Sequence, residues 1–177
     1  MKTYLLFSVK FGVVLALLMP LIVTGGTLFP FIVGKSIYSR IVIEITFGLW
    51  LILAYHHQAY RLRRSWLLIL FAVYVIVAFL SAVNGVSFQR SFWSTFERMQ
   101  GVYDLLHWLA LTLVIVSVFR NVSQMRVIFN CNLGISIFVA MMGLFEYYDV
   151  GIESYHNVKS IGRLGSTLGN SSYLGAY

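Results

Sequence analysis

Trp66-Leu67-Leu68-Ile69-Leu70-Phe71-Ala72-Val73-Tyr74-Val75-Ile76-Val77-Ala78-Phe79-Leu80-Ser81-Ala82-Val83 is an uninterrupted apolar run without a single charge. A bilayer crossing needs about 20 such residues in a helix. The run is flanked on one side by His56-His57-Gln58-Ala59-Tyr60-Arg61-Leu62-Arg63-Arg64, a basic turn. On the other side lies a polar loop from Asn84 to Gly101 that holds Arg90, Trp93, Glu97 and Arg98. A hydrocarbon-length core between two polar borders is the pattern of a membrane span.

The rest of the chain repeats the pattern. Of 177 residues, 59% are hydrophobic and 11% charged, with mean hydropathy +0.83. A soluble domain carries about 25% charged residues, so too few polar groups exist to cover a water-facing globule. The expected fold is all-α: a polytopic transmembrane helical bundle of about five spans plus the start of a sixth. The spans are expected at Leu5–Val23, Ile41–Tyr55, Trp66–Val83, Val102–Phe119 and Val127–Phe145, with Tyr173–Tyr177 opening the sixth. Thr27–Val33 is too short to cross and holds Pro30, which suggests a re-entrant or interfacial piece. Residues 1–177 form a single transmembrane domain without a soluble one. Cys131 is the only cysteine, so no internal disulfide forms. The first apolar run lacks a small-residue cleavage site and reads as an anchor.

Net charge is +7. The basic residues are scattered between apolar spans, which points to loop topology and anionic membrane lipid rather than nucleic acid. With the N-terminus in the cytoplasm, seven cations lie inside: Lys2, Lys10, Arg61, Arg63, Arg64, Arg120 and Arg126. Six lie outside: Lys35, Arg40, Arg90, Arg98, Lys159 and Arg163. This is a weak positive-inside bias. The basic groups outside invite either an anionic substrate or pairing with Glu97, Glu146, Asp149 and Glu153.

Few residues suggest chemistry. Arg98 offers a bidentate fork to a phosphate or a partner to Glu97 or Asp104. Asp104 and His107 share a helical face, so the acid can orient the imidazole. Arg40 and Glu44 are spaced to pair along one helix. Ser136, Ala140 and Gly143 form a small-residue face suited to close packing, and Asn130 and Asn132 can bond across helices. Near the end, Arg163 is followed by Gly165, Gly169 and Asn170. The glycines allow close backbone approach and can turn N–H groups toward an anion. No cysteine–histidine spacing suggests a metal.

Two stretches together resemble the O-antigen ligase-like (O-antigen ligase/polymerase) family of bacterial membrane proteins. The first is Ser94-Thr95-Phe96-Glu97-Arg98-Met99-Gln100-Gly101, followed by a span with His107. The second is Gly162-Arg163, then Gly165-Ser166-Thr167-Leu168-Gly169-Asn170 and Tyr173-Leu174-Gly175-Ala176-Tyr177. Leu168 replaces an aromatic, and Ser171-Ser172 stand where Pro-Asn is common. The resemblance implies that the chain is the N-terminal part of a larger helical protein in the bacterial cytoplasmic membrane. It implies a metal-independent, cofactor-free inverting glycosyltransferase in cell-surface polysaccharide synthesis. The donor would be an undecaprenyl-pyrophosphate-linked glycan, and the acceptor another glycan, lipid A-core or a protein. Arg163, and more weakly Arg98, become candidate pyrophosphate contacts, with Asp104, His107, Gly165 and Asn170 in support. The acceptor-activating histidine of such enzymes lies in a later loop. The alternative is a transporter or flippase-like protein without group transfer.

Overall fold

The computed structural model describes residues 2–27, 29–95, 100–148 and 164–177. Among these residues all regular structure is helical. Helix α1 (Lys2–Leu17) leads through a 3-10 turn (Met19–Leu21) to α2 (Val33–His56). Then follow α3 (Trp66–Asn84), the short α4 (Phe88–Trp93), α5 (Val102–Val118) and α6 (Val122–Tyr147). A second 3-10 turn (Ser166–Leu168) precedes the six-residue α7 (Ser171–Ala176).

Three helices, α2, α3 and α6, are long and apolar enough to cross a membrane, and α5 is a shorter apolar helix. The all-helical, membrane-length architecture is as expected, while the count of five spans is not confirmed. Helix α1 stops at Leu17, three residues before Pro20, which has no N–H to continue the helical ladder. The chain continues there as the Met19–Leu21 turn.

The largest departure from the expected boundaries is at α2. The second span was expected from Ile41, with Lys35 and Arg40 in an outer loop. Instead the helix starts at Val33, and both cations are buried within it. Each has a polar partner across the bundle, described below, which is what permits burial of a charged head. The stretch before it forms turns: the Thr24 N–H and hydroxyl both donate to the Pro30 carbonyl, at 3.0 and 3.2 Å.

The core joins α1, α2 and α5. Val9, Val13 and Ala16 of α1 meet Ile43, Trp50 and Leu53 of α2 and Leu111, Val114 and Val118 of α5. Gly12 lets α1 and α2 approach closely: a β-carbon there would lie 2.1 Å from Thr46 Oγ1. This is the small-residue contact that helices use where lipid removes the hydrophobic drive to associate. Helix α3, by contrast, leaves Trp66, Leu67, Leu70, Tyr74 and Val77 exposed along its outer side.

On α6 the buried positions are Ile135, Val139 and Gly143. Of the expected small-residue face, Gly143 packs against the terminal turn, while Ala140 faces outward. Asn130 and Asn132 are exposed too and make no side-chain bond across helices among the described residues.

Candidate functional site

Helix α2 places Arg40 and Glu44 one turn apart, and α5 places Tyr103, Asp104, His107 and Trp108 within a turn and a half. The packing of these two helices brings the six together. The Arg40 guanidinium meets Asp104 Oδ1 at 3.4 Å and lies 5.2 Å from the centre of the Tyr103 ring. Asp104 also accepts the Trp108 indole N–H at 2.9 Å. Glu44 Oε1 faces His107 Nε2 at 3.0 Å and accepts the Tyr103 hydroxyl at 3.2 Å. The intrahelical pairs expected from spacing therefore give way to pairs across the interface. Arg40 goes to Asp104 rather than Glu44, and His107 goes to Glu44 rather than Asp104.

His107 Nδ1 lies 2.8 Å from the Tyr103 carbonyl and Nε2 faces the Glu44 carboxylate at 3.0 Å, so both ring nitrogens have polar partners. His107 is buried, whereas the Glu44 side chain is 58% exposed at the middle of α2. An ionisable group at that depth is costly against lipid, so its face is a functional candidate.

The second polar assembly is built from the terminal motif. Residues 165–169 form a tight turn seated against α6 and the start of α2. Glu146, at the end of α6, accepts the Gly165 N–H at 3.0 Å and the Ser166 N–H at 2.7 Å. The Ser166 hydroxyl donates to the Val139 carbonyl at 2.7 Å. From α2 the buried Lys35 ammonium donates to the Thr167 carbonyl and lies 6.0 Å from the Phe31 ring centre. The turn closes with two left-handed residues, Ser166 (φ 48°) and Gly169 (φ 71°). A β-carbon at Gly169 would lie 2.2 Å from the Phe31 ring, so glycine is required there twice over. Thr167 Oγ1 is buried without a hydrogen-bond partner.

The expected site residues thus separate. Gly165 does turn its N–H toward an anion, but that anion is the chain's own Glu146. Asn170 caps α7 by accepting the Ser172 N–H at 2.8 Å. Asp104 and His107 belong to the α2–α5 cluster. Arg163 and Arg98 lie outside the described residues, as do Glu97, Asp149 and Glu153. The residues that sequence reasoning left out of the site are Lys35, Arg40, Glu44, Tyr103 and Glu146. One signal was present: the Arg40-x-x-x-Glu44 and Asp104-x-x-His107 spacings are complementary in charge when α2 and α5 lie side by side. Comparison with protein-family models, with characterised proteins and with solved structures gives no match.

Proposed function

We propose that the chain is part of a lipid-linked glycan ligase or polymerase of the O-antigen type, in the bacterial cytoplasmic membrane. The N-terminus would face the cytoplasm and the 165–169 turn the opposite side. One observation carries the reading beyond the motif resemblance: an apolar bundle that buries two cations, Lys35 and Arg40, near the start of α2. The Gly165–Gly169 turn is packed there against Lys35, and Arg40 follows it after about 7.5 Å of helix rise.

Such a site suits an amphiphilic, anionic donor. In the reaction the acceptor hydroxyl oxygen attacks the anomeric carbon of the donor sugar. The bond from that carbon to the pyrophosphate oxygen breaks, inverting the centre and releasing undecaprenyl pyrophosphate. The hydroxyl proton passes to a base, which the resemblance assigns to a histidine in a later loop. The protein must compensate the charge that grows on the leaving pyrophosphate, and a preorganised arginine does this without a metal. Arg163 is the first candidate, Arg98 the second. Arg40, held by Asp104, adds positive potential from within α2.

A test is transfer by the protein containing this chain, in liposomes carrying an undecaprenyl-pyrophosphate-linked oligosaccharide and an acceptor glycan. The expected product is acceptor-linked glycan with one undecaprenyl pyrophosphate released per transfer. Arg163→Ala is expected to slow it by roughly 100-fold, the scale of one lost stabilising donor. Movement of the donor across the bilayer without acceptor-dependent release of carrier would instead favour a transporter or flippase-like protein. That second reading draws on the ionisable Glu44–His107 pair between α2 and α5.

A further inference from the structure

The six acids of the chain are Glu44, Glu97, Asp104, Glu146, Asp149 and Glu153. None falls in the segments that meet at the opposite end of the bundle. There the start of α1, the end of α2, the start of α3, the end of α5 and the start of α6 carry Lys2, Arg61, Arg63, Arg64, Arg120 and Arg126.

These cations are not simply scattered. Two of them lie over the Tyr60 ring, and a third adjoins it in the chain. The Lys2 ammonium lies 5.7 Å and the Arg120 guanidinium 5.8 Å from the centre of the same ring. Arg61 follows Tyr60 directly and is tied to Arg120, whose Nη2 donates to the Arg61 carbonyl at 3.1 Å. The frame is fixed on every side. The Trp50 indole donates to the Tyr60 carbonyl at 3.2 Å, and Arg61 Nε donates to the Ala54 carbonyl at 3.2 Å. Arg120 Nε donates to the Ser117 carbonyl at 2.8 Å. Arg120 thus commits two of its five N–H donors to backbone carbonyls, which leaves three.

Packing cations around one aromatic ring with no acid in reach among the described residues raises their mutual repulsion. An anion that accepts from several of them removes that cost and gains charge-assisted bonds. The place also selects the anion. Helix ends and loops of an apolar bundle meet at the headgroup layer, where anionic lipid attracts juxtamembrane cations. We infer that Lys2, Tyr60, Arg61 and Arg120 form a binding site for the phosphodiester headgroup of an anionic phospholipid. The Arg120 fork grips the phosphate oxygens, Lys2 and Arg61 close around it, and the Tyr60 ring holds both flanking cations in place.

The test uses the full chain in lipid nanodiscs of phosphatidylcholine, with or without about one-third phosphatidylglycerol, at physiological salt, where surface charges more than ~8 Å apart are largely screened. Retained phosphatidylglycerol is counted by native mass spectrometry. The double variant Lys2→Gln/Arg61→Gln is expected to lower retention at least tenfold. Its control is Arg63→Gln/Arg64→Gln, which removes the same charge from exposed neighbours outside the cluster and is expected to change retention less than threefold. Arg120→Gln is expected to match the first variant; should it fail to fold, the double variants alone decide. Equal losses in both double variants would reduce the site to diffuse charge and overturn the inference. So would unchanged retention in Lys2→Gln/Arg61→Gln. Inorganic phosphate at millimolar concentration in phosphatidylcholine discs is expected to give no thermal stabilisation. Stabilisation that Lys2→Gln/Arg61→Gln abolishes would identify free phosphate as the ligand and overturn the lipid assignment. None of these outcomes depends on glycan transfer.

Discussion

Glu146→Ala should release the terminal turn from the bundle. The carboxylate accepts two backbone N–H groups, from Gly165 at 3.0 Å and Ser166 at 2.7 Å. Hydrogen bonds to a charged group contribute about 1.5–3 kcal/mol each. The carboxylate is half-buried, so the lower figure applies, and the pair together holds the turn by about 3 kcal/mol. Removing it also leaves Ser166 in a left-handed conformation held by its hydroxyl bond to Val139 and by the Gly169 N–H on its carbonyl at 3.4 Å. The assay is maleimide labelling of a Thr167→Cys variant in a Cys131→Ser background. Thr167 is 1% exposed, so the thiol reacts only when the turn opens. Labelling then follows the opening equilibrium. A change of about 3 kcal/mol raises its rate by roughly 100-fold. Glu146→Gln keeps an oxygen acceptor without the charge and should raise it by roughly tenfold, for a loss of about 1.4 kcal/mol. A Glu146→Ala protein with unchanged helix content and labelling within threefold of its parent would refute the reasoning.

Two further outcomes follow from the same packing. Gly169→Ala should destabilise the protein in detergent by more than the ~1 kcal/mol of a left-handed alanine, because its β-carbon meets the Phe31 ring at 2.2 Å; Gly175→Ala, which meets open space, should be neutral or slightly stabilising, and thermal unfolding separates the two. In a double-mutant cycle, Arg40→Met should cost about 3 kcal/mol and Asp104→Asn about 2 kcal/mol, while the double variant should cost less than their sum by about 1–2 kcal/mol; additive losses in denaturant unfolding would show that the pair does not couple.

What the sequence made legible was the run of helices, and the reason is the solvent. In hydrocarbon a span must satisfy its backbone internally, so apolar length alone marks Trp66–Asn84. The same logic misplaced the start of α2. A hydropathy reading treats Lys35 and Arg40 as loop residues because it prices each charge alone. Both are carried within the helix by partners 132 and 64 residues away along the chain. The site was hidden for that reason too. Spacing within one helix suggested Arg40 with Glu44 and Asp104 with His107. Both suggestions join residues that do lie on one face, and they fail because each side chain has a better partner on the facing helix. Local periodicity says which residues share a face; it does not say what the face meets.

The same relocation changes the meaning of the charge distribution. The weak bias of seven inner cations against six outer ones counted Lys35 and Arg40 as outer loop charges. With both buried in α2 they no longer report on topology, since the positive-inside rule concerns short loops and the ends of spans. Lys10 leaves the count as well, because it lies within α1 with its ammonium 5.7 Å from the Phe119 ring centre. By sequence position, six cations near span ends on one side then stand against four on the other: Arg90, Arg98, Lys159 and Arg163. The count then leans toward the Tyr60 end. An excess of outer loop charge therefore no longer calls for a substrate to explain it. The demand moves to the interior. Lys35 and Arg40 lie inside an apolar bundle where neither topology nor solubility requires a cation, and burial of a charge persists only where its partners offset the cost. The polar end of α2, rather than the loop count, is what argues for an anionic substrate.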